Sequence, residues 1–382
     1  MSDESKDFAS PVLGLSDDVV RGIYAHGLEE MSPVQVRALP PLLSGRDAIV
    51  QAQSGTGKTA AFGIAALERV ARNGQGTGDP QCLVICHTRE LAAQTADVLK
   101  ALGQYTRARV GLFIGGTPMR ASVDTLAAGC EIVVGTPGRV DGLRASGALA
   151  LSRVAVFVID EVDEVLRDSA CNSFLPIIKS LISACPGNAQ LVLVSATVSP
   201  ELLAMMDGVL RDPVKLLMEQ RALPLAGIRQ LRLPITREDE RYGALRHAQV
   251  SSSAMQSMVF CGRRDTVDAV VARLRDDGCD AAALHSGLSA AERGQVMQLF
   301  RAGQTRVLVC TDVLARGVDV QQVGLVVMYD LCAAADTYLH CVGRCGRYGR
   351  QGCAVLIVND HEDGPLRSFQ ALYDFTLEPH PE

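Results

Sequence analysis

Lys58 and Thr59 stand at the end of a short loop, Ala52 to Gly57, that carries Gly55 and Gly57 and follows the apolar run Ala48, Ile49 and Val50. An alanine-rich stretch with helical spacing comes next. A loop of this kind between a strand and a helix turns backbone N–H groups and the positive helix end toward one point, where a phosphate can sit. Lys58 would reach a β or γ phosphate, and Thr59 would hold a Mg2+ ion that bridges them. The residue type at 58 sharpens the signal. The chain has five lysines against thirty-two arginines, so a basic position filled without regard to chemistry would be arginine. A compact ammonium fits among packed phosphates where a planar guanidinium is too bulky. The loop opens with Ala52 where the strict pattern has glycine, so a glycine-bearing turn without a ligand is the other reading.

A carboxylate pair supplies the second half of such a site. The apolar run Val154 to Ile159 ends in Asp160 and Glu161, at the strand tip where α/β sheets place their ligands. Asp160 would hold Mg2+, partly through water, and Glu161 would orient and polarise an attacking water. The alternative is a solvated acidic helix start, "DEVDE", favoured by the helix dipole.

Both motifs need strands to hold them, and the chain has many. Runs such as "CLVICHT", "RVGLFIG", "EIVVGTP", "LVLVSAT", "SMVFCG", "RVLVCTD" and "AVLIVN" alternate with helical stretches. This pattern predicts an α/β fold of parallel sheets with helices on both faces. At 382 residues the chain is too long for one ordinary core. The alternation pauses once, which predicts an N-terminal domain over 1–215, a linker over 216–227 and a C-terminal domain over 228–382 that opens on an edge strand.

Composition narrows the function. With 48% hydrophobic and 21% charged residues the chain is globular. No apolar stretch approaches the ~20 residues that span a membrane, and the first ten residues do not read as a signal peptide, so an intracellular location is expected. A net charge of −6 gives no overall pull toward nucleic acid, so any such binding comes from a local groove. The twelve cysteines lie mostly in apolar runs and read as reduced core thiols. Cys82 and Cys86 share one face of a strand, unlike a zinc knuckle.

The order of the remaining motifs decides between the open readings. "SAT" (Ser195 to Thr197), "TDVLARGVD" (Thr311 to Asp319) and "HCVGRCGRYGR" (His340 to Arg350) follow in turn. With the loop and the carboxylates, the set resembles a DEAD-box RNA helicase over nearly the whole chain, and most of all the translation initiation factor 4A subgroup. A DNA translocase or metabolic nucleotide hydrolase fits "DEVD", "SAT" and "ARGVD" less well.

The resemblance implies two RecA-like domains, ATP and Mg2+ as cofactors, and single-stranded or short duplex RNA as partner, bound without sequence preference and unwound locally. It also implies a monomer, a scaffold protein bridging the two domains, and a cytoplasmic location with the nucleus left open. By the same resemblance Ser54, Gly55, Thr56, Gly57, Lys58 and Thr59 cradle the nucleotide, and Gln35 reads adenine through its amide. Gly317 and Asp319 face the nucleotide, Asp319 accepting from a ribose hydroxyl. Arg344 and Arg347 are arginine fingers that join Lys58, Asp160 and Glu161 in catalysis when the domains close. Thr88, Arg89, Gly116, Thr136, Arg139 and Thr311 contact RNA phosphates and sugars. Ser195, Thr197, Asp163 and His340 couple hydrolysis to RNA binding.

Five positions depart from the family's pattern. Val162 replaces alanine in "DEVD", His87 replaces the proline before "TREL", and Met31 replaces a proline in the adenine segment. Phe8 is the nearest ring to Ser10, where an adenine-stacking aromatic is expected. Cys341 replaces an arginine after His340, and the lost guanidinium predicts weakened closure, the alternative being a thiol that faces the core and fills a gap beside Leu339. A non-catalytic scaffold that keeps the fold is the runner-up function.

Overall fold

The computed structural model describes residues 6–52, 56–74, 76–165, 174–198, 200–206, 208–217, 228–252, 254–311, 323–345, 352–373 and 375–381. The chain divides into two compact units, Met1–Met218 and Glu219–Glu382.

In the first unit β1 (Ala48–Gln51), β2 (Cys82–Cys86), β3 (Val110–Phe113), β4 (Ile132–Gly135), β5 (Val156–Asp160), β6 (Gln190–Ser195) and β7 (Val214–Leu217) form one sheet. Their order is β3-β4-β2-β5-β6-β1-β7, and every pairing is parallel. Parallel strands need crossover helices, which cover both faces, so these strands read as unbroken apolar runs. Side chains alternate between two cores. Ala48, Val50, Val156 and Val158 face one, while Ile49, Phe157 and Ile159 face the other. Burying each such valine or isoleucine stabilises the fold by about 1.5–3 kcal/mol. Asp47 sets the entry to β1: its carboxylate accepts from Leu191 N at 2.9 Å and from Arg211 N at 2.8 Å. The loop after β1 is thereby launched from a fixed point.

The second unit repeats the plan with β8 (Ile228–Pro234), β9 (Ser257–Cys261), β10 (Ala281–Leu284), β11 (Val307–Thr311), β12 (Leu325–Met328), β13 (Gly352–Val358) and β14 (Glu378–Pro379). The order is β10-β11-β9-β12-β13-β8-β14, again all parallel. The expected edge strand β8 is not at the edge. The two residues of β14 pair with Leu231 and Arg232 and form the edge themselves. Nothing in the polar tail "LEPHPE" announces a strand, because two backbone pairings need no apolar face.

Cys341 departs from expectation as well. It lies on the helix Ala335–Val342 and is 0% exposed, packed with Tyr338, Val342 and Cys345 in one core, its Sγ 3.9 Å from Cys332 Sγ. The thiol fills an interior point, so the place where weakened closure was expected is a packing position. Phe8 is likewise fully buried in the first unit's core, and Met31 and Val162 join the cores of that unit. Among the described residues no helix is long and apolar enough to cross a membrane.

Candidate active site

β5, β6 and β1 are neighbours, so the loop after β1 and the carboxylates ending β5 leave the same edge of one sheet on either side of β6. Gly57 caps the helix Lys58–Asn73 with φ 93. A Cβ there would stand 2.5 Å from Gln35 Nε2, so both the backbone and the space require glycine. Lys58 is buried, and its Nζ donates to the Ala52 carbonyl across the base of the loop. Thr59 is half-buried in the first turn of the same helix. Ser54 and Gly55 lie outside the described residues.

The adenine segment is tied to this loop. The helix Pro33–Leu43 opens with a capping box, in which Ser32 Oγ accepts from Gln35 N at 3.3 Å and Gln35 Oε1 accepts from Ser32 N at 2.8 Å. Ser32 Oγ donates to Thr56 O at 2.7 Å, and Gln35 Nε2 donates to Gly57 O at 3.3 Å. The amide assigned to a base edge therefore has both ends engaged within the protein, its oxygen on the helix cap and its nitrogen on the phosphate loop.

Asp160 pairs with Cys86 across β5 and β2, so Glu161 and His87 leave adjacent strand tips together. Glu161 has left-handed backbone, φ 50, and its N–H donates to Asp160 Oδ1 at 3.0 Å. Burial, then the Glu161 charge, pushes the Asp160 carboxyl up to about 7, with Lys58 pulling the other way. Two buried carboxylates held this close fit a divalent cation, which supplies the charge that one lysine does not balance. His87 Nδ1 stands 3.1 Å from Glu161 Oε2. That is ion-pair distance without hydrogen-bond alignment, and neither ring nitrogen has a hydrogen-bond partner among the described residues.

The tip of β6 joins the two halves. Ser195 O accepts from Ala52 N at 3.0 Å, Ser195 Oγ accepts from Thr197 N at 3.0 Å, and Thr197 Oγ1 donates to Asp163 Oδ2 at 2.8 Å. Three of the four predicted coupling residues thus form one network. The fourth, His340, lies in the second unit, buried, where its carbonyl accepts from Arg344 Nε at 3.1 Å. Gly317, Asp319 and Arg347 lie outside the described residues.

The residues assigned to RNA in the first unit follow β2, β3 and β4, which are neighbours at one side of the sheet. Thr88 caps the helix Arg89–Leu102, its Oγ1 accepting from Leu91 N at 3.1 Å. Thr136 N donates to Phe113 O at 3.1 Å and opens the helix Pro137–Ala145. Between them runs the turn at Gly115 and Gly116, the latter at φ 86. A Cβ on Gly115 would lie 3.3 Å from the Arg89 guanidinium. Arg139 grips the same turn, donating to Thr117 O at 2.6 Å and to Ser122 Oγ at 2.9 Å. Two helix N-termini and two arginines therefore surround one loop. Thr311 ends β11 in the second unit.

A phosphate loop and a carboxylate pair at one edge of a parallel sheet, with a second parallel sheet downstream, define the class of nucleotide-hydrolysing α/β proteins with two such domains. Residues 32–205 match the DEAD/DEAH box helicase family and residues 241–349 match the helicase conserved C-terminal domain. ATP-dependent RNA helicase eIF4A of Candida albicans is 39% identical over 97% of this chain and 91% of its own. Eukaryotic initiation factor 4A of Caenorhabditis elegans is 38% identical over 96% and 90%. The solved structure of S. cerevisiae Dbp5 bound to RNA and ADP BeF3 shares the fold with a TM-score of 0.87 and 30% identity, over 97% of this chain and 94% of that one. The chain belongs to the DEAD-box family of ATP-dependent RNA helicases.

Two features escaped sequence reasoning. The Gln35 link was legible as an S-x-x-Q capping box. The nearness of His87 to Glu161 depends on the register of β2 against β5, which no local motif encodes.

Proposed function

We propose that this chain hydrolyses ATP to separate short RNA duplexes, gripping one strand by its backbone, and that it serves translation initiation in the cytoplasm. The observation that carries the reading is the network at the β6 tip, which ties the phosphate loop, through Ser195 and Thr197, to the acidic segment at Asp163. Backbone N–H groups of the loop from Ser54 to Thr59 and the Lys58 ammonium hold the phosphates. Thr59 and Asp160 would hold Mg2+, which when bound supplies positive charge on the phosphate oxygens. Glu161 orients the water that attacks the γ phosphate. Arg344 and Arg347 act on that phosphate during turnover, and Gly317 and Asp319 on the nucleotide. Thr88, Arg89, Gly116, Thr136, Arg139 and Thr311 bind phosphates and sugars, so binding is independent of base sequence and weakens with salt.

The test is phosphate release with and without single-stranded RNA, and with DNA of equal length. Stimulation by RNA and not by DNA is the expected result. Absence of turnover in all three samples would overturn the enzymatic reading and leave a binding platform, and equal stimulation by DNA would overturn the RNA assignment.

A further inference from the structure

We propose that His87 is a positioning residue for Glu161: its imidazole donates one hydrogen bond to the carboxylate, so that the other carboxylate oxygen is held toward the attacking water. The proposal rests on the reading of Glu161 as the residue that orients that water. Parallel pairing of Cys86 with Asp160 delivers the two side chains to adjacent strand tips. His87 Nδ1 lies 3.1 Å from Glu161 Oε2, with the side chains 10% and 8% exposed. A buried ring whose two nitrogens both lack a hydrogen-bond partner among the described residues is costly to keep. The distance to Glu161 is already that of a hydrogen bond, and only the angle is lacking. The terminal torsion of histidine is broad, so the ring turns into line without backbone movement. An ionised carboxylate only accepts, which puts the imidazole proton on Nδ1 and leaves Nε2 as acceptor. Left-handed backbone at Glu161 aims its flexible side chain, and His87 supplies the second point that orients it.

The experiment measures RNA-stimulated ATP turnover of the full chain at saturating RNA, with melting temperature as a folding control. His87→Ala should lower kcat by about tenfold or more, the worth of a hydrogen bond to a charged group, with KM for ATP within about twofold. His87→Asn keeps a donor near the place of Nδ1 and should restore kcat to within about threefold of the natural chain, while His87→Gln, with its donor near the place of Nε2, should not. Unchanged kcat in His87→Ala, a loss confined to KM, or rescue by glutamine equal to that by asparagine overturns the proposal. If the alanine variant does not fold, the asparagine and glutamine pair decides. A natural chain without RNA-stimulated turnover overturns the reading of Glu161 and this proposal together, whereas turnover in the natural chain that His87→Ala leaves intact overturns the proposal alone.

Discussion

Asp160→Asn should abolish activity and stabilise the ligand-free chain, and both effects have one origin. Burial and the Glu161 charge move the Asp160 carboxyl from an ordinary 3.8 up to about 7. A rise of about three units corresponds to about 4 kcal/mol against ionisation in the folded state. Because the folded chain holds this proton more tightly than the unfolded chain, the stabilising contribution is complete below 3.8 and is lost as pH rises toward 7. Asparagine never ionises, and its amide oxygen still accepts from Glu161 N. At pH about 8 the variant should therefore melt several degrees above the natural chain, since 1 kcal/mol moves a domain of this size by about 2–4 °C. The gap should shrink as pH falls to about 5, where the natural carboxyl is protonated in the folded state. Scanning calorimetry of the full chain without nucleotide or metal gives both curves. Added Mg2+ and ATP should narrow the gap by binding the natural site. A variant that melts no higher at the alkaline end, or by the same margin across the range, refutes the buried-charge argument.

Lys58→Ala should remove measurable phosphate release, because the other phosphate donors of the loop are backbone groups that cannot replace a point charge. Glu161→Gln should retain ATP and RNA binding while losing turnover, so RNA dissociation slows in the presence of ATP; loss of nucleotide binding would remove Glu161 from the hydrolytic role. Cys341→Arg should lower stability by at least about 3 kcal/mol, read from the denaturant midpoint, since a guanidinium has no solvent at that interior point. A gain in turnover by that variant, with stability intact, would restore the view that the thiol marks a missing surface contact.

Strands and the two central motifs were legible because burial on both faces writes itself as uninterrupted β-branched runs, and polar residues at the ends of such runs stand out. Asp160, directly after "VFVI", is of this kind, while Lys58 stood out through the glycine-bearing loop that separates it from "AIV". For Cys341 the comparison with relatives pointed to a lost contact, while the spacing around it carried the other reading, a thiol that fills the core. Tyr338, Cys341, Val342 and Cys345 recur at the spacing of one buried helical face. His87 and β14 were beyond local reading for a different reason. Each depends on which strand lies beside which, and strand register is a property of the folded sheet.

The left-handed backbone at Glu161 sets stability against the acid at one position. That conformation costs a residue with a Cβ about 1–2 kcal/mol, and glycine adopts it freely. Glutamate codons reach glycine by a single base change, and the exchange would also remove one of two crowded buried carboxylates. Exchange to glycine should therefore raise the melting temperature of the ligand-free chain while emptying the strand tip of its acid, so stability and the acid pull this position in opposite directions.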